Sequence, residues 1–143
     1  MQRLLALKQV DLFANLGLEQ LDAVHEATRE AEYLPNEIIF REGERGQKLY
    51  LLLEGRVGIV KNHGTPNELQ LATVSAVDYF GEMAILDNEP RSATVVALSH
   101  ARLLTLDGTS LKDLILHMPE ISFEIFRVLT ARIRRAETRM SEH

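Results

Sequence analysis

The chain of 143 residues contains neither cysteine nor tryptophan. Without thiols there are no disulfide bonds, no thiolate catalysis and no cysteine-ligated zinc or iron–sulfur sites. The apolar runs are too short to span a bilayer, and the N-terminus, MQRLL, lacks the long apolar core of a signal peptide. We therefore expect a cytoplasmic protein with no membrane segment.

Positive charge is also scarce, since 16 Lys and Arg residues stand against 21 Asp and Glu residues, giving a net charge of −5. Such a chain is a poor electrostatic partner for nucleic acid. The exception is segment 127–143, in which five arginines accompany two glutamates. A solvated helix face explains this segment more simply than a nucleic-acid-binding module. We predict no nucleic-acid binding by this chain alone.

Residues arranged for catalysis or for metal binding are missing as well. None of the five histidines lies four residues from another, which excludes the helical histidine pair of many zinc enzymes and argues against a cupin-like metal enzyme. No serine lies in a Gly-x-Ser-x-Gly turn. We predict no enzymatic activity, no metal site and no cofactor.

Hydrophobic periodicity divides the chain into three parts. Leu18, Leu21, Val24 and Ala27 recur at three-residue steps, which predicts a helix over about residues 18–29. Further along, short apolar runs alternate with turns rich in Gly, Asn and Asp, before the helical period returns. This pattern favours one mainly β domain with flanking helices, an antiparallel β-roll or double-stranded β-helix (jelly roll). The expected parts of this single domain, 1–143, are N-terminal helices over about 1–30, the roll over 31–107 and C-terminal helices, ending in a long one, over 108–140.

The last predicted helix carries an apolar stripe with coiled-coil a/d spacing over two heptads. Two heptads are short for a stable coiled coil, so contacts with the roll would have to contribute. The stripe predicts either packing on the domain's own roll or a homodimer. Its residues are Phe126, Leu129, Ile133, Ala136 and Met140.

One segment, residues 80–95, contains the residue types that a phosphate and a sugar require; it reads FGEMAILDNEPRSATV. Gly81 lets the backbone approach a ligand closely. The residues that follow have the composition of a single helical turn, whose free N–H groups suit an anion. Arg91 offers a planar, permanently charged fork for a phosphate, while Glu82 can accept hydrogen bonds from a sugar hydroxyl. A phosphate and a ribose in one pocket indicate a nucleotide.

This segment resembles the phosphate-binding cassette of the cyclic nucleotide-binding domains, the family that includes the bacterial catabolite activator protein and the regulatory subunits of cyclic AMP-dependent kinase. Each residue type of the family pattern, from Phe-Gly-Glu to Pro-Arg-Ser-Ala-Thr-Val, is present in order without a gap. Upstream, the runs IIFREGERG and YLLLEG are similar to the family's early strands and glycine turns. The resemblance covers about residues 12–135.

The resemblance implies a role for each matching position of the cassette. Arg91 would pair with the exocyclic oxygens of the cyclic phosphate, and Glu82 would hold the ribose 2′-hydroxyl. Backbone N–H groups of Ala84, Ser92 and Ala93 would complete the phosphate cradle. The implied ligand-binding residues are Phe80, Gly81, Glu82, Met83, Ala84, Arg91, Ser92 and Ala93.

Positions outside the cassette are implied to contact the sugar and the base. By strand position these are Ile59 and Leu71, while Arg135 or Thr138 of the C-terminal helix would reach the purine as a lid. In the family, threonine after the arginine accompanies cyclic GMP, whereas alanine or serine accompanies cyclic AMP. Ser92 therefore favours cyclic AMP as the ligand, with cyclic GMP as the alternative.

Two functions are consistent with these residues. The first is a regulatory sensor domain that binds a cyclic nucleotide and relays occupancy, through its C-terminal helix, to an effector not contained in this chain. The alternative is a structural or dimerisation module in which Glu82 and Arg91 form an internal ion pair in a degenerate, nucleotide-free pocket. The intact cassette favours the sensor.

Overall fold

The computed structural model describes residues 2–141, except for the side chains of residues 2, 3, 83, 84, 86 and 141. The strands are β1 (Arg29–Tyr33), β2 (Ile38–Phe40), β3 (Lys48–Glu54), β4 (Arg56–Lys61), β5 (Leu69–Ser75), β6 (Asp78–Phe80), β7 (Thr94–Ala97) and β8 (Ala101–Asp107). The helices are α1 (Gln2–Gln9), α2 (Leu18–Ala27), α3 (Glu82–Asp87), α4 (Gly108–His117) and α5 (Glu120–Ser141). None of these helices combines the length and the apolarity that a bilayer crossing requires.

The strands form two four-stranded antiparallel sheets, with the orders β1-β8-β3-β6 and β2-β7-β4-β5. Most neighbours in a sheet are not consecutive in sequence, because the chain passes repeatedly from one sheet to the other, as in a roll. The predicted mainly β architecture with flanking helices is confirmed, and its last helix is 22 residues long.

Strand β3 separates two apolar clusters. Because side chains alternate along a strand, Leu49 and Leu51 pack against the helices, whereas Tyr50 and Leu52 pack between the two sheets. All four are buried. A strand that is covered on both faces carries a continuous apolar run, which is the pattern that identifies this segment as a strand.

The first strand begins earlier than the apolar pattern indicates. Helix α2 ends at Ala27, because Thr28 adopts extended backbone (φ −87°, ψ 158°) and its Oγ1 donates to the carbonyl of His25 at 2.6 Å. Strand β1 then begins at Arg29, inside the segment predicted to be helical. It is an edge strand that pairs with β8 alone, so most of its side chains face solvent and show no apolar alternation.

Left-handed residues and main-chain hydrogen bonds fix the position of the cassette. Helix α3 lies between Gly81 and Asn88, which both adopt left-handed backbone, with φ values of 86° and 58°. The Arg91 N–H donates to the carbonyl of Glu44 at 2.8 Å, and the Gly43 N–H donates to the carbonyl of Arg91 at 2.8 Å. The arginine of the cassette is thus joined to the turn between β2 and β3.

Candidate functional site

A cavity of about 310 Å³ opens beside the cassette. Small-molecule sites begin at about 300 Å³, so this cavity is large enough for a compact ligand. Its walls come from the cassette, from β2, β4, β5 and β6, and from α5. The lining residues are Phe40, Ile59, Val74, Asp78, Tyr79, Phe80, Gly81, Glu82, Asp87, Glu89, Pro90, Arg91, Ser92, Ala93, Val95 and Arg132.

Most side chains predicted from the cassette meet at this cavity. The predicted residues in its lining are Phe80, Gly81, Glu82, Arg91, Ser92, Ala93 and, from β4, Ile59. The side chains of Met83 and Ala84 lie outside the described residues. Within the described part of the chain, no group of three or more His, Asp or Glu side chains is arranged to hold a metal ion.

Three residues predicted to line the cavity do not reach it. Leu71 is 54% exposed on β5, where Val74 lines the cavity instead. The pairing of β4 with β5 shifts register there, with Ile59 opposite Ala72 and Val60 opposite Gln70, so Leu71 is the extra residue of a bulge. Arg135 and Thr138 lie farther along α5 than the cavity, and Arg132, about one helical turn before Arg135, lines it in their place.

The Arg91 side chain is buried, with 6% exposed, although it carries a permanent charge. Its Nη1 donates to the carbonyl of Gly81 at 2.8 Å, and its Nη2 donates to the carbonyl of Lys48 at 2.9 Å. Burial lowers the pKa of the guanidinium, because desolvation disfavours a cation. No carboxylate among the described side chains forms an ion pair with it. The guanidinium is thus held by hydrogen bonds to carbonyl groups, while the charges of Glu44 and Glu82 act on it from farther away.

Aromatic rings complete the surroundings of this guanidinium. The Cζ of Arg91 lies 4.1 Å from the ring centroid of Phe40 and 5.8 Å from that of Tyr50, within the range of cation–π interactions. Tyr50 stacks on Phe80 with ring centroids 5.1 Å apart and an interplanar angle of 4°. Sequence reasoning missed Phe40 and Tyr50, because both lie in apolar runs that look like ordinary core.

The carboxylate of Glu82 is half-buried and faces the same cavity. Burial raises its pKa above the usual value, while a backbone N–H and the nearby guanidinium of Arg132 oppose that shift. The described contacts include no ion pair between Glu82 and Arg91. The two charges interact at longer range, which differs from the internal ion pair that the degenerate-pocket alternative requires.

Arg132 is a second guanidinium at the cavity, and the sequence did not single it out. Its Cζ lies 4.3 Å from the ring centroid of Tyr79. Its Nη2 lies 3.2 Å from Asp11 Oδ2 and 3.7 Å from Asp78 Oδ1. Arg132 and Asp11 are 121 residues apart in sequence, so no local pattern reveals their contact.

The sequence profile of the cyclic nucleotide-binding domain matches residues 30–117, more than half of the chain. The chain belongs to the cyclic nucleotide-binding domain family. The resemblance found in the cassette is thereby confirmed for the domain as a whole.

Individual members are similar over most of the chain. The cyclic AMP receptor protein of Thermus thermophilus is 32% identical over 131 residues, which make up 92% of this chain and 61% of that protein. The N-terminal domain of a transcriptional regulator from Streptomyces coelicolor superposes with a TM-score of 0.82 at 30% identity, covering 94% of each chain. The regulatory domain of Toxoplasma gondii PKA with cAMP gives a TM-score of 0.73 at 31% identity, covering 79% of this chain and 43% of that chain.

Gly81→Ala tests the close approach of the cassette to Arg91. A Cβ at Gly81 would lie 2.9 Å from Arg91 Nη1 and 3.0 Å from the Lys48 carbonyl oxygen, and the backbone φ is +86°. Gly43→Ala is the matched control, because Gly43 has a φ of +88° with nothing near its Cβ position. Both variants carry a backbone strain of about 1–2 kcal/mol. We expect Gly81→Ala to lose roughly 1–3 kcal/mol more, from overpacking.

Urea unfolding measures the difference as a shift in midpoint at constant slope. Equal destabilisation of the two glycine variants would show that the approach is not tight.

Glu82→Gln tests the burial of the carboxylate. Because the folded pKa of Glu82 lies above its unfolded value, the stability linked to its protonated form is present below the unfolded pKa and is lost as pH rises through the folded pKa. Glutamine is neutral at every pH. We therefore expect the variant to match the wild type below about pH 4 and to be more stable at about pH 7.

Chemical denaturation across this pH range gives the two stability curves. Glu89→Gln, at an exposed position of the same cassette, is the control. A constant offset between Glu82→Gln and the wild type at all pH values would contradict the prediction.

Proposed function

We propose that this domain is a sensor that binds cyclic AMP in the cavity beside the cassette and relays its occupancy through α5 to an effector. The domain family and the cavity support binding of a cyclic nucleotide. The choice of base rests on Ser92, and the relay rests on α5.

The observation that carries the proposal is the buried, unneutralised guanidinium of Arg91. A cation held by the carbonyls of Gly81 and Lys48, beside a cavity, has donors left over for an anion. A cyclic phosphate is a singly charged anion with two exocyclic oxygens, which suit the planar fork of arginine. Glu82, at the same cavity, accepts a hydrogen bond from the ribose 2′-hydroxyl.

Ser92 supports cyclic AMP over cyclic GMP, by the family correlation at this position. Its side chain lines the cavity, and its carbonyl accepts a hydrogen bond from Lys61 Nζ at 2.9 Å. The cyclic AMP receptor protein and the PKA regulatory domain with cAMP, both among the similar proteins, favour the same base.

Helix α5 is suited to relay occupancy because it contributes a side chain to the cavity wall. Arg132 lines the cavity, and we assign to it the lid role that the resemblance implied for Arg135 or Thr138. A ligand biases two helix positions only if it contacts them differently. The Arg132 guanidinium, next to the cavity, can donate to acceptor atoms on the base of a bound ligand. This contact would favour one position of α5 over the other.

An exposed apolar stripe supports a second role for α5, as a homodimer interface. Phe126, Ile133 and Met140 are 58%, 59% and 77% exposed. Leu129, in contrast, is half-buried against the helical core. Since the domain's own roll leaves most of the predicted stripe uncovered, we assign that stripe to the partner subunit of a dimer.

Arg91→Ala tests the phosphate site. Removing one partner of a buried charge pair costs about 2–5 kcal/mol, so the affinity for cyclic AMP should fall by about 30-fold or more. Arg29→Ala, at an exposed position of β1, is the control with the same change in charge. Isothermal titration measures both.

Unchanged affinity in Arg91→Ala would refute the phosphate assignment. Thermal shift with cyclic AMP, cyclic GMP and linear AMP tests the base and the ring, since a ligand that binds the native state raises its stability with concentration. A preference of about tenfold for cyclic GMP would reverse the choice of base.

Ile133→Glu tests the dimer. A carboxylate in an apolar interface is desolvated without a partner, so light scattering should show a monomer where the wild type is a dimer. Ala131→Glu adds the same charge to the exposed opposite face of α5 and should leave the dimer intact. A wild-type protein that is monomeric with and without cyclic AMP would refute the assignment.

A further inference from the structure

Arg132 contacts two separate parts of the molecule, β6 and the segment between α1 and α2, where α5 meets the cavity. Its guanidinium lies over the ring of Tyr79 in β6, with 4.3 Å between Cζ and the ring centroid. It also pairs with Asp11, between α1 and α2, and with Asp78, at the start of β6. We call these four residues, Asp11, Asp78, Tyr79 and Arg132, the Arg132 cluster.

The contacts of the cluster leave one side of the guanidinium available. Nη2 is the atom that approaches both carboxylates, at 3.2 Å and 3.5 Å from the two oxygens of Asp11 and at 3.7 Å from Asp78 Oδ1. The ring of Tyr79 supports the guanidinium on its face. None of the contacts described within residues 2–141 engages Nη1 or Nε of Arg132, which lines the cavity.

We propose that Asp11 is a positioning residue for ligand binding, because it holds Arg132 against Tyr79 at the cavity wall before the ligand arrives. The inference rests on the proposed function for the identity of the ligand. The N-terminal segment then sets the affinity of a site that it does not touch.

Ion-pair energetics determine where the effect of Asp11 should appear. The side chains of Arg132, Asp11 and Asp78 are 37%, 45% and 46% exposed, and pairs with such exposure contribute little to folding stability. A long arginine side chain, however, loses rotamer freedom when it is fixed for a ligand. If Asp11 has already fixed it, the ligand does not bear that entropic cost. The consequence is a change in affinity without a matching change in stability.

Tyr79 contributes its ring rather than its hydroxyl. The side chain is 3% exposed, and the hydroxyl is buried without a hydrogen-bond partner among the described residues. Tyr79→Phe keeps the ring under Arg132 and should preserve the affinity for cyclic AMP. Tyr79→Leu removes the ring and should weaken binding. A loss in Tyr79→Phe as large as that in Tyr79→Leu would overturn the assignment to the ring.

The first experiment compares cyclic AMP affinities of Asp11→Asn and the wild type by isothermal titration. An exposed charge pair corresponds to about a two- to fivefold change in affinity, and we expect Asp11→Asn to bind that much more weakly. The difference should shrink when salt rises from about 50 mM to about 500 mM, since salt screens exposed pairs. Asp11→Glu should recover most of the affinity. Asp22→Asn, at an exposed position of α2, should match the wild type.

The double variant Asp11→Asn/Arg132→Gln separates positioning from a general effect of charge. If Asp11 acts through Arg132, its replacement changes nothing further in the Arg132→Gln background. Full additivity of the two losses, or a loss in Asp22→Asn equal to that in Asp11→Asn, would overturn the proposal.

Hydrogen exchange of the ligand-free protein tests the cluster without any nucleotide. Loss of the Asp11 contact should speed local amide exchange in α5 around Arg132 in Asp11→Asn, but not in Asp22→Asn, while the global unfolding midpoints of the two variants stay equal. Equal exchange in the two variants would refute the proposed cluster. A wild type that binds no cyclic nucleotide would refute the proposed function, and the exchange result would still decide whether Asp11 holds Arg132.

Discussion

A buried guanidinium without a carboxylate partner is the constraint around which this site is built. Arg91 is held by two carbonyl groups, from Gly81 and Lys48, and by the ring of Phe40. Dipoles and rings offset only part of the cost of removing a full charge from water. A positive electrostatic potential therefore remains at the cavity wall. Such a potential favours an anionic ligand over a neutral one.

The layered fold supplies the rigidity that this cation requires. Strand β3 provides the carbonyl of Lys48 and the ring of Tyr50 to the site, while Leu49 and Leu51 of the same strand anchor it in the helical core. Alternation along one strand thus connects the ligand site to the main apolar cluster. A shift of β3 would disturb both the apolar packing and the contacts of the Arg91 guanidinium. The packing therefore opposes movement of the site, although burial of the Arg91 charge is unfavourable.

Sequence reasoning succeeded where contacts are local or where a pattern is long. The cassette is a continuous run, so its residues could be identified from spacing and residue type. The roll followed from many short apolar runs separated by turns. The strand β1 was missed because an edge strand with exposed side chains carries no alternation. Leu71 does not line the cavity because the register of β5 against β4 shifts at that residue, and the sequence gives no sign of such a bulge.

From its amino acids alone, the chain could be predicted to be a β-roll with flanking helices, because this architecture depends on periodicity within short segments. The resemblance of the cassette to a family then implied a phosphate contact for Arg91 and a sugar contact for Glu82. Folding was needed to show which ring lies under Arg91, that Arg132 rather than Arg135 reaches the cavity, and that Asp11 meets Arg132 across the domain. These contacts join residues far apart in the chain. They depend on strand pairing and on how α5 packs against the rest of the domain, and no local pattern encodes such distances.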